Sequence, residues 1–194
     1  MPRTCRPILL TTLITLGIGS TFLSATSGHG QSAADPAGAV DQAGNIQVPD
    51  MDYRKEWVAL GTWAVAADEG VLGSNGMHVV YTQEETVTAY LETGKFPDGA
   101  VLVKELLGTE TAEMTTGTIS RAGDIEGWFV MVKDSTGKFE NTNGLWGEGW
   151  GWAYFGADNS AETTTTDYES ECLGCHVPAE GNDWIYTEGY PVLR

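Results

Sequence analysis

The chain has 194 residues and carries 27 acidic against 10 basic side chains, a formal net charge of −17. That length suits one domain, or one domain and a tail, with ample sequence for a real core. So acidic a chain is a poor partner for nucleic acid or anionic lipid, both of which are bound through Lys and Arg. Seven Trp, seven Tyr and five Phe argue against general disorder, while three cysteines are too few for a disulfide framework and form an odd count that needs explaining.

The N-terminus accounts for one cysteine. Arg3 and Arg6 precede an apolar run from Ile8 to Leu23, which leads into the small residues Ser24, Ala25, Thr26 and Ser27. A positive start, a short apolar middle and a small-residue exit describe a secretory signal peptide over residues 1–34, cleaved somewhere in 25–34. The run is short and rich in Thr and Gly for a membrane span, so no membrane attachment is expected after cleavage. Cys5 leaves with the leader. Arg3 and Arg6 leave too, so 8 basic residues then face 27 acidic ones and the charge becomes −19. Residues 35–50 lack periodicity and read as a flexible linker, which sets the folded domain at 51–194.

Within the domain, Tyr53 to Leu60 reads as a short helix anchoring Trp57. Gly61 to Ala67 and Met77 to Tyr81 carry the β-branched and aromatic residues of strands. Thr82 with Glu85 is a capping-box signal for a helix to about Glu92, stopped by Gly94. Pro97-Asp98-Gly99 marks a turn. Ala100 to Leu107, Thr115 to Arg121, Trp128 to Lys133 and Trp150 to Phe155 are further predicted strands, and helix signals return at Asp167 to Cys175. The fold class is therefore β-rich α+β, an antiparallel sheet with a few helices.

Cys172-Leu173-Gly174-Cys175-His176 is the attachment sequence of c-type haem. Two thiols on one helical turn can bond two vinyl groups, and the adjacent imidazole can ligate the iron. A thioredoxin-like pair would sit near a βαβ pattern, which is absent, and structural zinc would need a fourth ligand close by. Only 18 residues follow His176 and none is Met; Met51, Met77, Met114 and Met131 all precede it. Met131 lies in an apolar strand and reads as core. An open sixth position in a β-rich pocket follows, and that implies small-ligand binding or catalysis.

Phe96-Pro97-Asp98-Gly99-Ala100-Val101-Leu102-Val103-Lys104-Glu105-Leu106, Val132-Lys133-Asp134, the haem motif and Tyr190-Pro191-Val192-Leu193 together resemble the cytochrome P-460 family, from about Tyr53 to Leu193. The resemblance implies a periplasmic, usually homodimeric mono-haem protein with its haem motif on a C-terminal helix. Catalytic members oxidise hydroxylamine to nitric oxide or nitrous oxide and bond a lysine to a porphyrin meso carbon. The related cytochrome c-prime beta branch lacks that bond and binds nitric oxide without catalysis. Heme c and its iron are the implied cofactor, with a soluble cytochrome as a candidate electron acceptor.

Lys104 separates the branches. At period two it shares a face with Ala100, Leu102 and Leu106, so its ammonium points among apolar neighbours. Burial would favour the neutral amine, which is the nucleophile needed at a porphyrin edge; the alternative is a lysine snorkelling from an edge strand. Lys104 occupies the place of the family's cross-linking lysine, and Lys133 is a weaker candidate. Asp167 could present a carboxylate that accepts substrate protons, or it could be an acid at a helix start. His78 could donate or accept a hydrogen bond over the iron, or be a half-exposed strand residue; the family often has arginine there. Phe129 and the segment from Trp146 to Phe155 are expected to line or back the pocket.

Overall fold

The structure, a computed structural model, describes residues 38–194. The expected signal peptide and the first linker residues lie outside the described residues. Among the described residues no helix is long and apolar enough to cross a membrane.

The framework is a six-stranded, wholly antiparallel sheet. Its strands are β1 (Val58–Ala66), β2 (Ser74–Thr82), β3 (Val101–Met114), β4 (Gly117–Lys133), β5 (Trp146–Gly147) and β6 (Trp150–Gly156), in the spatial order β1-β2-β3-β4-β6-β5. Helices are few and short, as expected: α1 (Tyr53–Glu56), α2 (Glu84–Thr93) and, near the C-terminus, a π-helical turn at Glu169–Leu173 running into α3 (Gly174–His176). The haem motif thus lies on a C-terminal helical segment.

Several expectations need correction. The helix from Tyr53 stops at Glu56, and Trp57 turns extended (φ −106°, ψ 165°) to launch β1 at Val58. The strands expected at 115–121 and 128–133 are one. β4 pairs with β3 from Met114↔Gly117 to Val101↔Val132, and irregularities around Leu106, Leu107 and Thr109 absorb the glycine-rich stretch. Thr82 does not cap α2, because it belongs to β2 and its hydroxyl donates to the Val101 carbonyl at 2.7 Å. The cap residue is Gln83, whose Oε1 accepts from Val101 N at 2.9 Å and from the Thr86 hydroxyl at 3.0 Å. Gly94 ends α2 as expected, in the left-handed conformation (φ 72°) with its N–H on the Tyr90 carbonyl.

Residues 38–50, expected as linker, are packed. Val40 bridges Ile46, Ala39 and Ile46 are buried, and the Asp41 side chain accepts from Ala43 N and Asn45 N to close the turn. Folded structure thus begins before Met51, because two apolar residues here reach the core.

Two cores lie on opposite faces of the sheet, set by strand alternation. One gathers Val80, Leu102, Met131, Trp150 and Trp152 with Cys172, Ile185, Tyr190 and Leu193 of the C-terminal segment. The other gathers Val101, Val103, Val130, Val132 and Phe155 with Ala39, Ile46 and Tyr53 of the N-terminal segment. The C-terminal segment can lie so close to β1 because Gly61 and Gly189 lack side chains: a Cβ on Gly61 would meet the Gly189 carbonyl, and one on Gly189 would meet the Trp63 ring.

Candidate active site

A cavity of about 570 Å³ opens between the first of these faces and the C-terminal helical segment. Its walls include Val80, Leu102, Phe129, Met131, Trp152 and Ile185, and into it face His78, Lys104, Cys172, Cys175 and His176. Size and lining are those of a small-molecule or cofactor site. The structure therefore brings Lys104, His78, Phe129 and Trp152 together with Cys172, Cys175 and His176 of the haem motif, from segments up to 98 residues apart in sequence. Trp150 and Phe155, by contrast, are fully buried core.

His176 is held as a metal ligand needs to be. Its Nδ1 lies 2.6 Å from the Trp184 carbonyl. A carbonyl only accepts, so Nδ1 carries the proton and Nε2 keeps its lone pair for a ligand role. The Trp152 ring meets the imidazole edge-on at 4.9 Å and fixes its plane. Burial holds His176 below the ordinary histidine pKa, the Trp184 carbonyl opposes this, and the Lys104 charge adds to it. The carbonyl is delivered by an uncommon turn in which Asp183 (φ 59°) and Trp184 (φ 68°) are both left-handed. Each costs about 1–2 kcal/mol for a residue with a side chain.

Cys172 is buried and Cys175 exposed, and neither forms a disulfide. Burial, with Glu171 beside it, pushes the Cys172 thiol up to about 11. Among the described residues no three His, Cys, Asp or Glu side chains converge as an ion-binding group. Two thiols and an imidazole spread along one apolar wall suit a broad planar ligand better than a single ion. A haem fits this set: apolar walls for the ring, thiols for its edge and a free Nε2 for its metal.

Lys104 lies on β3 opposite Val80 of β2 and Phe129 of β4. Its Nζ sits 5.3 Å from the centre of the Phe129 ring. Burial lowers its pKa, and the Cys175 thiol acts the other way. His78 pairs with Leu106, two residues along, and so is a diagonal neighbour of Lys104 on the same face. Burial and then the Lys104 charge hold His78 below its ordinary value of 6.5, so it is neutral at neutral pH.

Asp167 is the correction. It does not line the cavity. It is exposed, and its carboxylate accepts from Glu169 N at 3.2 Å and the Ser170 hydroxyl at 2.9 Å, which starts the helical segment. Lys133 is also elsewhere, paired with Asp183 at 2.7 Å. Sequence reasoning missed the carboxylates that do border the cavity, Glu171 and Glu188, and the tyrosines Tyr186 and Tyr190. Glu171 is engaged in accepting from Thr166 and Asp167, which lowers its pKa, while Tyr186 donates to the Cys175 carbonyl at 2.6 Å and burial pushes Tyr190 up to about 12. The aromatic residues crowded into the short stretch after the haem motif were the available signal.

No curated protein matches the chain. The cytochrome P460 family profile matches residues 50–187, which includes Lys104 and the haem motif and stops short of Tyr190. With that match covering well over half of the chain, and with a cavity built for a haem, this protein belongs to the cytochrome P460 family.

Proposed function

We propose that this cytochrome oxidises hydroxylamine at a c-type haem bonded to Lys104. The single observation that carries the reading is Lys104 standing in the largely apolar wall of the cavity that His176, Cys172 and Cys175 line, with its Nζ over the Phe129 ring. Bound haem would supply the iron that takes the substrate's electrons and the porphyrin edge that receives the amine.

Cys172 and Cys175 would hold the haem, each thiol adding across one vinyl group so that one S–C and one C–H bond replace the S–H and the double bond with no change of redox level. His176 would offer Nε2 to the iron, while the Trp184 carbonyl keeps Nδ1 protonated. Lys104 reacts as the neutral amine that burial favours. Its Nζ would be the atom joined to a meso carbon, an N–C bond taking the place of one N–H and one C–H. That exchange would release two protons and two electrons, for which an external two-electron oxidant of the peroxide class is required. In turnover, hydroxylamine becomes nitric oxide by losing three protons and three electrons. Neutral His78 accepts a proton from substrate. The electrons go to an external acceptor, and the acidic surface supports a basic soluble cytochrome. Residues 1–34 support export to the periplasm, and the family resemblance supports a homodimer.

One observation favours a second reading, a non-catalytic nitric oxide binder of the c-prime beta kind. The cavity wall is largely apolar, which suits a neutral diatomic. Two measurements on the exported protein separate the readings. The catalytic reading expects a ferrous Soret band far to the red and hydroxylamine-dependent reduction of a dye. An ordinary c-type Soret band with no dye reduction would overturn it in favour of the nitric oxide binder.

A further inference from the structure

Lys133 ends β4 away from the cavity, yet it is among the most enclosed cations of the fold, with 10% of its side chain exposed. Its Nζ lies 2.7 Å from Asp183 Oδ1 and 4.8 Å from the centre of the Trp150 ring. Asp183 is gripped a second time, because Trp150 Nε1 donates to its carbonyl at 3.0 Å. Trp150 itself is fully buried, and its strand pairs with β4 directly at Lys133↔Trp150. The end of the β4–β6 pairing therefore holds Asp183 at both its carboxylate and its carbonyl.

What Asp183 carries makes this more than packing. Asp183 and Trp184 are consecutive left-handed residues without the freedom of glycine, so the turn persists only while its surroundings impose it. Trp184 N donates to Ala179 at 2.9 Å, and Trp184 O takes the His176 Nδ1–H at 2.6 Å. A continuous chain of bonds runs from Lys133 through Asp183 to the carbonyl that sets the tautomer and basicity of His176.

We infer that Lys133 and Asp183 are positioning residues for His176: their ion pair holds the strained turn that aims the Trp184 carbonyl at Nδ1. With the pair broken, the turn relaxes towards ordinary backbone angles and the carbonyl moves off Nδ1. The imidazole then becomes a weaker donor and stabilises ferric iron less. Hydrogen-bond partners of metal-bound histidines are commonly worth about 10–100-fold. The inference rests on His176 being the iron ligand.

The test uses the intact haem-loaded protein with Lys133→Met, which keeps the length and apolar stem, and Lys133→Arg, which can restore the pair. Resonance Raman spectroscopy reads the ferrous iron–histidine stretch, and potentiometry reads the midpoint potential. Lys133→Met should lower and broaden the stretch. It should also raise the potential by about 59 mV, the one-electron equivalent of a tenfold change in the ferrous-to-ferric ratio. Lys133→Arg should bring both back towards wild type. A Lys133→Met protein that loses thermal stability but keeps the wild-type stretch and potential overturns the inference. If that variant does not fold, Asp183→Asn is read in the same way. A wild-type protein with no iron–histidine band would instead strike the assignment of His176, a separate failure.

Discussion

Lys104 and Glu105 are consecutive residues of β3 and face opposite sides of the sheet, each among apolar neighbours. Their surroundings differ in kind. Glu105 is 2% exposed, and its Oε1 accepts from the Tyr53 hydroxyl at 2.6 Å and from Arg54 Nε at 2.7 Å. Trp128 Nε1 donates in turn to Tyr53 at 3.0 Å, and burial together with Glu105 raises the Tyr53 pKa. Lys104 has the face of Phe129 against its Nζ, and no hydrogen-bond acceptor among the described residues reaches it. A buried charge that serves structure is surrounded by partners, since leaving it bare is costly. A charge left bare beside a cavity is one whose loss of a proton is useful. The contrast predicts that the two neighbours fail differently when replaced.

The largest effect is expected at Lys104. Lys104→Leu should abolish hydroxylamine-dependent dye reduction while the protein still carries haem, and its Tm should be no lower than wild type because an apolar wall gains an apolar side chain. A variant that keeps turnover would break the comparison. Next, His78→Gln should lower kcat by about a hundredfold, within the range for loss of a positioned proton acceptor. The pH profile sharpens this. A pKa held below 6.5 keeps His78 neutral above that pH, so wild-type kcat should rise with pH along an acid limb centred below 6.5 and then level off. In His78→Gln that limb should vanish; an unchanged limb would assign it to another group.

Glu105→Gln should show the opposite failure to Lys104→Leu. Hydrogen bonds to a charged group are worth about 2 kcal/mol, and Arg54 is half exposed and can turn to water. Thermal unfolding should show a Tm lower by about 4–8 °C, with the Soret band and kcat unchanged. The smallest effect belongs to Asp167. Asp167→Ala removes a local turn contact and should cost about 1 kcal/mol or less, with kcat unaltered; a large loss of kcat would restore Asp167 to the chemistry.

Much of this was legible in the sequence where chemistry fixes spacing. Two thiols and an imidazole in five residues have little other use, and alternation along residues 100–106 alone placed Lys104 on an apolar face. The strand register that sets His78 diagonal to Lys104 was not legible, because pairing partners depend on hairpin turns and on bulges such as those near Leu107. Asp167 was not legible because nine residues of helix-like sequence do not say which way a carboxylate turns, and here it turns to the Glu169 N–H and the Ser170 hydroxyl. The Trp184 carbonyl was invisible: left-handed backbone at Asp and Trp has no reliable residue signature, unlike Gly94. Residues 38–50 hid for a similar reason, since Ala39 and Ile46 are two buried contacts without a period.

The most direct test of the central claim is mass spectrometry of the proteolysed mature holoprotein. The account predicts that the peptide containing Lys104 and the peptide containing Cys172, Cys175 and His176 are recovered as one species, joined through the porphyrin, with a mass two hydrogens below the sum of the Lys104 peptide and the haem peptide. Recovery of an unmodified Lys104 peptide beside an ordinary haem peptide would contradict it.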